Sequence, residues 1–247
     1  MKINDIKNIL QSTPEADLPA IIAGLESDLR EGVKKLVISY KKRHNNYIAE
    51  NERLDGLLYF ERRYERYARI CGVDEAGAGP LAGPVAAAAV ILPVGLKIRG
   101  LDDSKKLSAV LREELFDEIV EKAVDYCIAT VEADKIDAMN ILEARLLAMS
   151  KAVGSINADF ALIDGDRAPR LAIPYAMITG GDACCMSIAA ASVLAKVYRD
   201  RLMSEYDKEY PNYGFAKHKG YGTAEHLSAI RTYGSCPIHR KTFLRRH

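Results

Sequence analysis

Residues 70–92 read ICGVDEAGAGPLAGPVAAAAVIL, and this stretch decides the fold. Ile70 to Val73 is a short apolar run of strand type that ends on two adjacent acids, Asp74 and Glu75. The AGAGPLAGP segment behind them has the glycine and proline density of a turn. Val85 to Leu92 is an unbroken apolar run with the length of a buried strand. Acids at a strand end that enter a glycine-rich turn stand where open α/β sheets place their functional groups.

The pattern continues downstream. Leu107 to Val124 has the spacing of an amphipathic helix with Ser108 as its N-cap. Tyr126–Val131 predicts a third strand, Ile136–Val153 a helix, Phe160–Ile163 a fourth strand ending in Asp164, and Ile173–Ile178 a fifth. A long helix is expected to open at Asp182 and to run to about Tyr206. Two strands in succession, then strands alternating with helices, predict the α/β class with a mixed sheet flanked by helices. Upstream, Asp5–Leu10 and the spacing of Ile21, Ile22, Leu25, Leu29, Val33 and Leu36 are helical, as is Glu50–Tyr67. Thr13-Pro14-Glu15 reads as a helix start with Thr13 as N-cap. Lys41, Lys42 and Arg43 read as a solvated face, with an accessory nucleic-acid contact as the sharper alternative.

The chain has 247 residues, 49% of them hydrophobic and 28% charged, which excludes a disordered or collagen-like protein. Its longest apolar run, Val85–Leu92, is far short of the ~20 residues of a membrane span. Five cysteines without a C-x-x-C pair fit reduced thiols and a cytoplasmic setting better than disulfides or structural zinc. The net charge of +1 hides an uneven distribution. Residues 71–195 hold 11 Lys/Arg against 18 Asp/Glu, a balance of −7, and residues 196–247 hold 11 against 5, a balance of +6.

Asp74, Glu75, Asp164 and Asp182 all fall at element ends and can converge on one sheet edge. Clustered carboxylates repel one another unless a cation neutralises them. All-oxygen donors select hard ions such as Mg²⁺ or Mn²⁺, and two such ions about 4 Å apart can serve phosphodiester hydrolysis. On spacing alone, the same acids also fit ordinary caps and surface charges.

The strings GVDEAGAGPLAGPVAAAAVIL (72–92), LDDSKKL (101–107), ALIDGD (161–166), GGDA (180–183), SIAAASVLAKVYRDRLM (187–203), KHKGYGTAEHL (217–227) and PIHRKTF (237–243) resemble bacterial ribonuclease HII in order and spacing. The resemblance implies a ribonuclease H-like catalytic domain over residues 69–247, including a C-terminal helical and loop part that binds substrate. Residues 1–68 resemble the helical N-terminal extension of some Gram-positive members. The implied activity is metal-dependent endonucleolytic hydrolysis of RNA in RNA–DNA hybrids. It includes nicking on the 5′ side of ribonucleotides embedded in duplex DNA, which leaves 3′-hydroxyl and 5′-phosphate ends.

By the same resemblance, Asp74, Glu75, Asp164 and Asp182 are the catalytic acids and hold two Mn²⁺ or Mg²⁺ ions. Gly77, Ala78 and Gly79 read the ribose 2′-hydroxyl through the backbone. Ser104, Lys105, Lys196, Arg199, Lys219 and Tyr221 contact substrate, with Tyr221 stacking on the sugar beside the junction. The expected partners are RNA–DNA hybrid and ribonucleotide-containing duplex DNA, with no membrane and a monomeric chain. Two positions depart from the family pattern. Ala78 stands where the family has Arg within Gly-Arg-Gly, and Cys184 where it has a basic residue, with Cys185 next to it. The alternative reading is therefore a hybrid-binding relative with weakened or altered cleavage. A different ribonuclease H-like nuclease, such as a resolvase, would explain the acids but not KHKGYG.

Overall fold

The computed structural model describes residues 1–245. It divides into two compact units, Met1–Gly56 and Leu57–His247. The first contains α1 (Ile3–Ser12), α2 (Leu18–Ala23) and most of α3 (Glu31–Leu57). Ile6, Leu10, Leu18, Ile22, Val33 and Val37 form its buried cluster. Thr13 does not open the next helix. It closes α1, with its N–H and its hydroxyl both bonded to the Ile9 carbonyl, and α2 starts after Asp17, whose side chain makes no capping bond, with Pro19 in the first turn. The expected N-cap yields because Thr13 satisfies a carbonyl orphaned at the end of the preceding helix. Within this unit Lys41 pairs with Glu26 and Arg43 with Glu15.

The second unit opens with α4 (Tyr59–Arg63) and is built on five strands: β1 (Ile70–Ala76), β2 (Val85–Ile91), β3 (Asp125–Val131), β4 (Phe160–Asp164) and β5 (Tyr175–Ile178). Their order is β3-β2-β1-β4-β5. β2 lies antiparallel to β1 and β3, whereas β4 lies parallel to β1 and β5. The mixed sheet anticipated from the sequence is thus present. The helices are α5 (Ala109–Lys122, capped by Ser108), α6 (Ala133–Met139), α7 (Ile141–Gly154), α8 (Met186–Glu209), α9 (Phe215–His218), α10 (Ala224–Tyr233) and α11 (Lys241–Leu244). Several boundaries differ from the sequence reading. The helical spacing of Ile21 to Leu36 is interrupted between α2 and α3, which leaves Leu29 exposed outside either helix, and the stretch read as one helix over Glu50–Tyr67 is divided between the end of α3 and the short α4. The helix expected over 136–153 breaks at Asn140, whose φ of 74° ends α6 and whose side chain caps α7. Asp182 lies on a separate 3₁₀ turn, Gly181–Ala183, and α8 begins only at Met186.

β2 is buried along its whole length, which explains its continuous apolar sequence. On one face Cys71, Val73, Ala87, Ala89, Ala161 and Ile163 meet Ala144, Ala148 and Ala152 of α7. On the other face α8 lies against β1. A Cβ on Gly72 would stand 2.0 Å from the Ser187 carbonyl carbon, so only glycine admits the helix this close. Among the described residues no helix is long and apolar enough to cross a membrane.

Candidate active site

The parallel β1–β4 ladder ends on the pair Val73 with Ile163. One residue further along stand Asp74 and Asp164, side by side at the carboxyl ends of neighbouring strands. Side chains alternate across a sheet, so the two adjacent acids of β1 part company. Asp74 faces α8, where the nearby Ser192 hydroxyl pulls its carboxyl down, and its Oδ1 accepts the Glu75 N–H at 2.7 Å. The Ser104 hydroxyl lies 2.9 Å from that of Ser192. Glu75 faces α7, where Arg145 Nη2 lies 2.5 Å from its Oε1. Its Oε2 is buried with no hydrogen-bond partner among the described residues. Asp164 Oδ1 accepts the Gly181 N–H at 2.7 Å, which ties the 3₁₀ turn of Asp182 to the end of β4. Asp182 Oδ2 takes the Lys105 ammonium at 3.1 Å.

These acids are electrostatically strained. Burial, with the charges of Glu75 and Asp164, pushes the Asp74 carboxyl well above the usual carboxylate range. Burial also raises Glu75 against the opposing pull of Arg145, with Asp164 adding to the rise. Asp164 is raised by burial and by Asp182, against the N–H groups of Gly181 and Gly165. As they stand, the carboxylates do not close on one point. Among the described residues no three His, Cys, Asp or Glu side chains meet the geometry of a metal site, and Glu75 and Asp182 are each turned onto a cation. The donor chemistry nonetheless fits a hard divalent ion. The set is all oxygen, its charges raise one another's pKa, and one buried carboxylate oxygen has no partner.

The predicted substrate residues divide into two groups. Gly77, Ala78 and Gly79 follow directly on β1. Tyr221 is 46% exposed, and its Cε1 lies 3.7 Å from where a Cβ on Gly79 would stand, so the ring borders the turn. Lys105 reaches the acids from a side chain that is 77% exposed.

The others support the site from beneath. Ser104 is buried with its hydroxyl against that of Ser192. Arg199 is 1% exposed and donates to three carbonyls, of Pro84, Ala82 and Lys219, so it braces loops instead of facing a phosphate. Lys219 directs its ammonium back onto α8, to the Asp200 carbonyl and Ser204 Oγ. Lys196 is paired with Asp200 at 2.8 Å. Cys184 bonds weakly to the Gly180 carbonyl, and burial with the charges of Asp164 and Asp182 raises its thiol.

Arg145, Ser192 and Arg240 went unassigned in the sequence. Arg240 is fully buried and donates to the carbonyls of Gly83, Ala78 and Gly77. A signal existed for two of them, since Ser192 and Arg240 lie inside the SIAAASVLAK and PIHRKTF strings. Arg145 sits in an unremarkable helical stretch.

Residues 71–247 match the family model for ribonuclease HII, and residues 2–65 match that for the ribonuclease HII N-terminal domain. The chain belongs to the ribonuclease HII family. A curated ribonuclease HII of Desulfitobacterium hafniense is 46% identical over 98% of this chain and 94% of its own length. One from Ruminiclostridium cellulolyticum is 52% identical over 86% of this chain and 85% of its own. Among solved structures, the ribonuclease H2 of Pyrococcus horikoshii superposes with a TM-score of 0.59 at 28% identity, covering 72% of this chain and 96% of that one. A ribonuclease HIII solved in complex with Mn²⁺ shares the fold at 15% identity, with a TM-score of 0.53 and coverage of 71% of this chain and 64% of that one. As a member of the ribonuclease HII family, the protein is a hydrolase, a nuclease of the ribonuclease H type.

Proposed function

We propose that this ribonuclease HII hydrolyses the RNA strand of RNA–DNA hybrids and nicks 5′ of single ribonucleotides in duplex DNA, leaving 3′-hydroxyl and 5′-phosphate ends. The observation that carries the reading is the meeting of Asp74 and Asp164 at the ends of two parallel strands, with Asp182 tied to Asp164 through Gly181. The glycine turn and Tyr221 lie alongside.

Asp74, Glu75, Asp164 and Asp182 would hold two divalent ions, Mn²⁺ or Mg²⁺, of the class found in the ribonuclease HIII relative. When bound, such ions acidify a water for attack on phosphorus and take up the charge that develops on the departing 3′-oxygen. The protein's own part is positional. The Glu75 N–H holds Asp74, and the Gly181 N–H holds Asp164. Lys105 offers a cation to a phosphate once Asp182 turns to another charge. Tyr221 presents an aromatic face for a sugar or base at the junction. All five cysteines are free thiols, which is in keeping with the cytoplasmic setting expected of this protein.

The test is cleavage of two substrates, a duplex DNA with one ribonucleotide and an RNA–DNA hybrid, with Mn²⁺, Mg²⁺ or EDTA. A nick 5′ of the ribonucleotide that EDTA abolishes is expected. No metal-dependent nick on either substrate would overturn the reading. A second reading, a hybrid-binding protein of weakened or altered cleavage, draws on Ala78 and on Cys184, a neutral thiol among the acids. Binding of both substrates without turnover would select it.

A further inference from the structure

Two buried arginines are not explained by the acid chemistry. Arg240 and Arg199 are 0% and 1% exposed, and among the described residues neither forms an ion pair with a carboxylate. Burial without a counter-charge is expensive unless every donor finds an acceptor. Here the acceptors are backbone carbonyls, five of the six in the loop of residues 77–84. Arg240 bonds to Gly77 O through Nη2 at 2.6 Å, to Ala78 O through Nη1 at 3.0 Å and to Gly83 O through Nε at 2.9 Å. Arg199 takes Ala82, Pro84 and Lys219, so it fastens the far end of the same loop to the segment that leads to Tyr221. A Cβ on Gly77 would stand 2.0 Å from Arg199 Nε, so the turn rests directly on this guanidinium.

The consequence follows from peptide geometry. In a planar trans peptide the carbonyl of one residue and the N–H of the next point in opposite directions. Arg240 draws the Gly77 and Ala78 carbonyls inward, so the Ala78 and Gly79 N–H groups are turned outward. Among the described residues neither N–H has a hydrogen-bond partner. The φ of +91° at Gly77 is the left-handed setting that lets successive peptides turn this way. Two adjacent outward amides form a concavity that accepts an oxygen lone pair. This one begins two residues after Glu75 and is bordered by the Tyr221 ring.

We propose that Arg240, braced by Arg199, is a specificity-determining positioning residue: it holds the Gly77–Gly79 backbone so that the Ala78 and Gly79 amides form a two-donor reader of the ribose hydroxyl at the junction. This rests on the proposed nuclease function and assigns its discrimination to a residue remote from the reacting atoms. It also makes that discrimination independent of the side chain at position 78.

The experiment compares the full chain with Arg240→Lys and Arg240→Gln, which cannot fork onto two carbonyls at once. Binding is measured in Ca²⁺ to a duplex with one ribonucleotide and to the same duplex in all-DNA form. Cleavage of the ribonucleotide duplex is followed in Mn²⁺. The expected result is a loss of about tenfold or more in the ratio of the two affinities, with all-DNA binding held within twofold. In cleavage, KM should rise more than kcat falls. Thermal melting identifies any variant that fails to fold. If both do, Arg240→Ala supplemented with methylguanidinium is used, and recovery of the ratio is expected. A ratio equal to wild type in any folded variant, or no recovery with methylguanidinium, overturns the proposal. If the wild-type chain neither cleaves nor distinguishes the two duplexes, the functional reading itself has failed, a result separable from failure of the variants.

Discussion

Arg145 Nη2 stands 2.5 Å from Glu75 Oε1, and the guanidinium therefore occupies charge that a divalent ion would otherwise claim. The pair is half buried, with side-chain exposures of 33% and 11%, so it is only partly screened. Replacing Arg145 by Met leaves Glu75 without its counter-charge. The expected loss is about 1–2 kcal/mol of stability in EDTA, below the ~3–5 kcal/mol for breaking a fully buried pair. Added Mn²⁺ should restore most of it, and half-saturation of cleavage should shift to a lower Mn²⁺ concentration. Melting curves with and without metal, and a metal titration of activity, check this.

Asp74→Asn should separate activity from stability. The folded carboxyl is held well above its ordinary value by burial, Glu75 and Asp164. A raised carboxylate pKa means that ionisation destabilises the fold, so stability is lost as pH rises from the unfolded value to the folded one. The neutral amide removes that penalty at pH 7. Cleavage should fall at least ~100-fold, as expected on losing a group that acts in the transition state, while the metal-free melting temperature holds or rises. A drop of several degrees would argue against the strain.

His226 and His239 predict an acid limit. Cys236 N–H donates to His239 Nδ1, so His239 carries its proton on Nε2 and gives it to His226 Nε2 at 3.0 Å. His226 in turn donates from Nδ1 to the Tyr221 carbonyl. A second proton on either ring would set two N–H groups face to face. Burial and the neighbouring His226 bring His239 down to about 4, and burial lowers His226 as well. Both lie below the unfolded value, so their contribution is full above about pH 6.5 and is lost as pH falls toward 4. For His239 alone that is roughly 3 kcal/mol. Urea melts of wild type and His239→Gln between pH 4 and 7.5 should converge at low pH.

Ala78→Arg restores the family's cation on the rim of the turn. A new phosphate contact should tighten substrate binding by about tenfold and steepen the salt dependence by about one unit in the log–log slope. Ribonucleotide preference should stay as it is, because residue 78 contributes its amide and its carbonyl, not its side chain. Affinity measured across a salt series on both duplexes tests the two statements together.

Gly72→Ala tests the seat of α8. The added Cβ would meet Ser187 backbone at 2.0 Å, and neither strand nor helix can yield locally. A loss of about 2–3 kcal/mol is expected from overpacking, with cleavage falling in step as Ser192 is carried away from Asp74. Wild-type melting would show that the helix has slack.

The elements legible in the sequence are those with a local signature. β2 announced itself by an eight-residue apolar run, and Ser108 by its place before an amphipathic stretch. The parallel pairing that sets Asp74 beside Asp164 spans about ninety residues and has no local mark, although acids at strand ends pointed toward it. What the sequence concealed is burial of charge. Arg199 and Lys196, three apart on one helix, read alike as cations that contact substrate, yet one is buried on three backbone carbonyls and the other pairs with Asp200. Arg145 has no companion in the sequence, because its partner lies seventy residues away, on β1. Asp182 looked like a helix opener because its 3₁₀ turn and α8 are separated by only two residues.

The outward amides of Ala78 and Gly79 bear on how such a protein can change over time. Recognition written in side chains is erased by a single codon, whereas recognition written in the main chain survives nearly any substitution that keeps the bend. Drift at position 78 can therefore retune how tightly the protein grips nucleic acid while leaving what it recognises in place. The irreplaceable letters are elsewhere, at Gly77, where a side chain would collide with Arg199, and at Arg240, one residue whose loss would release two peptides at once.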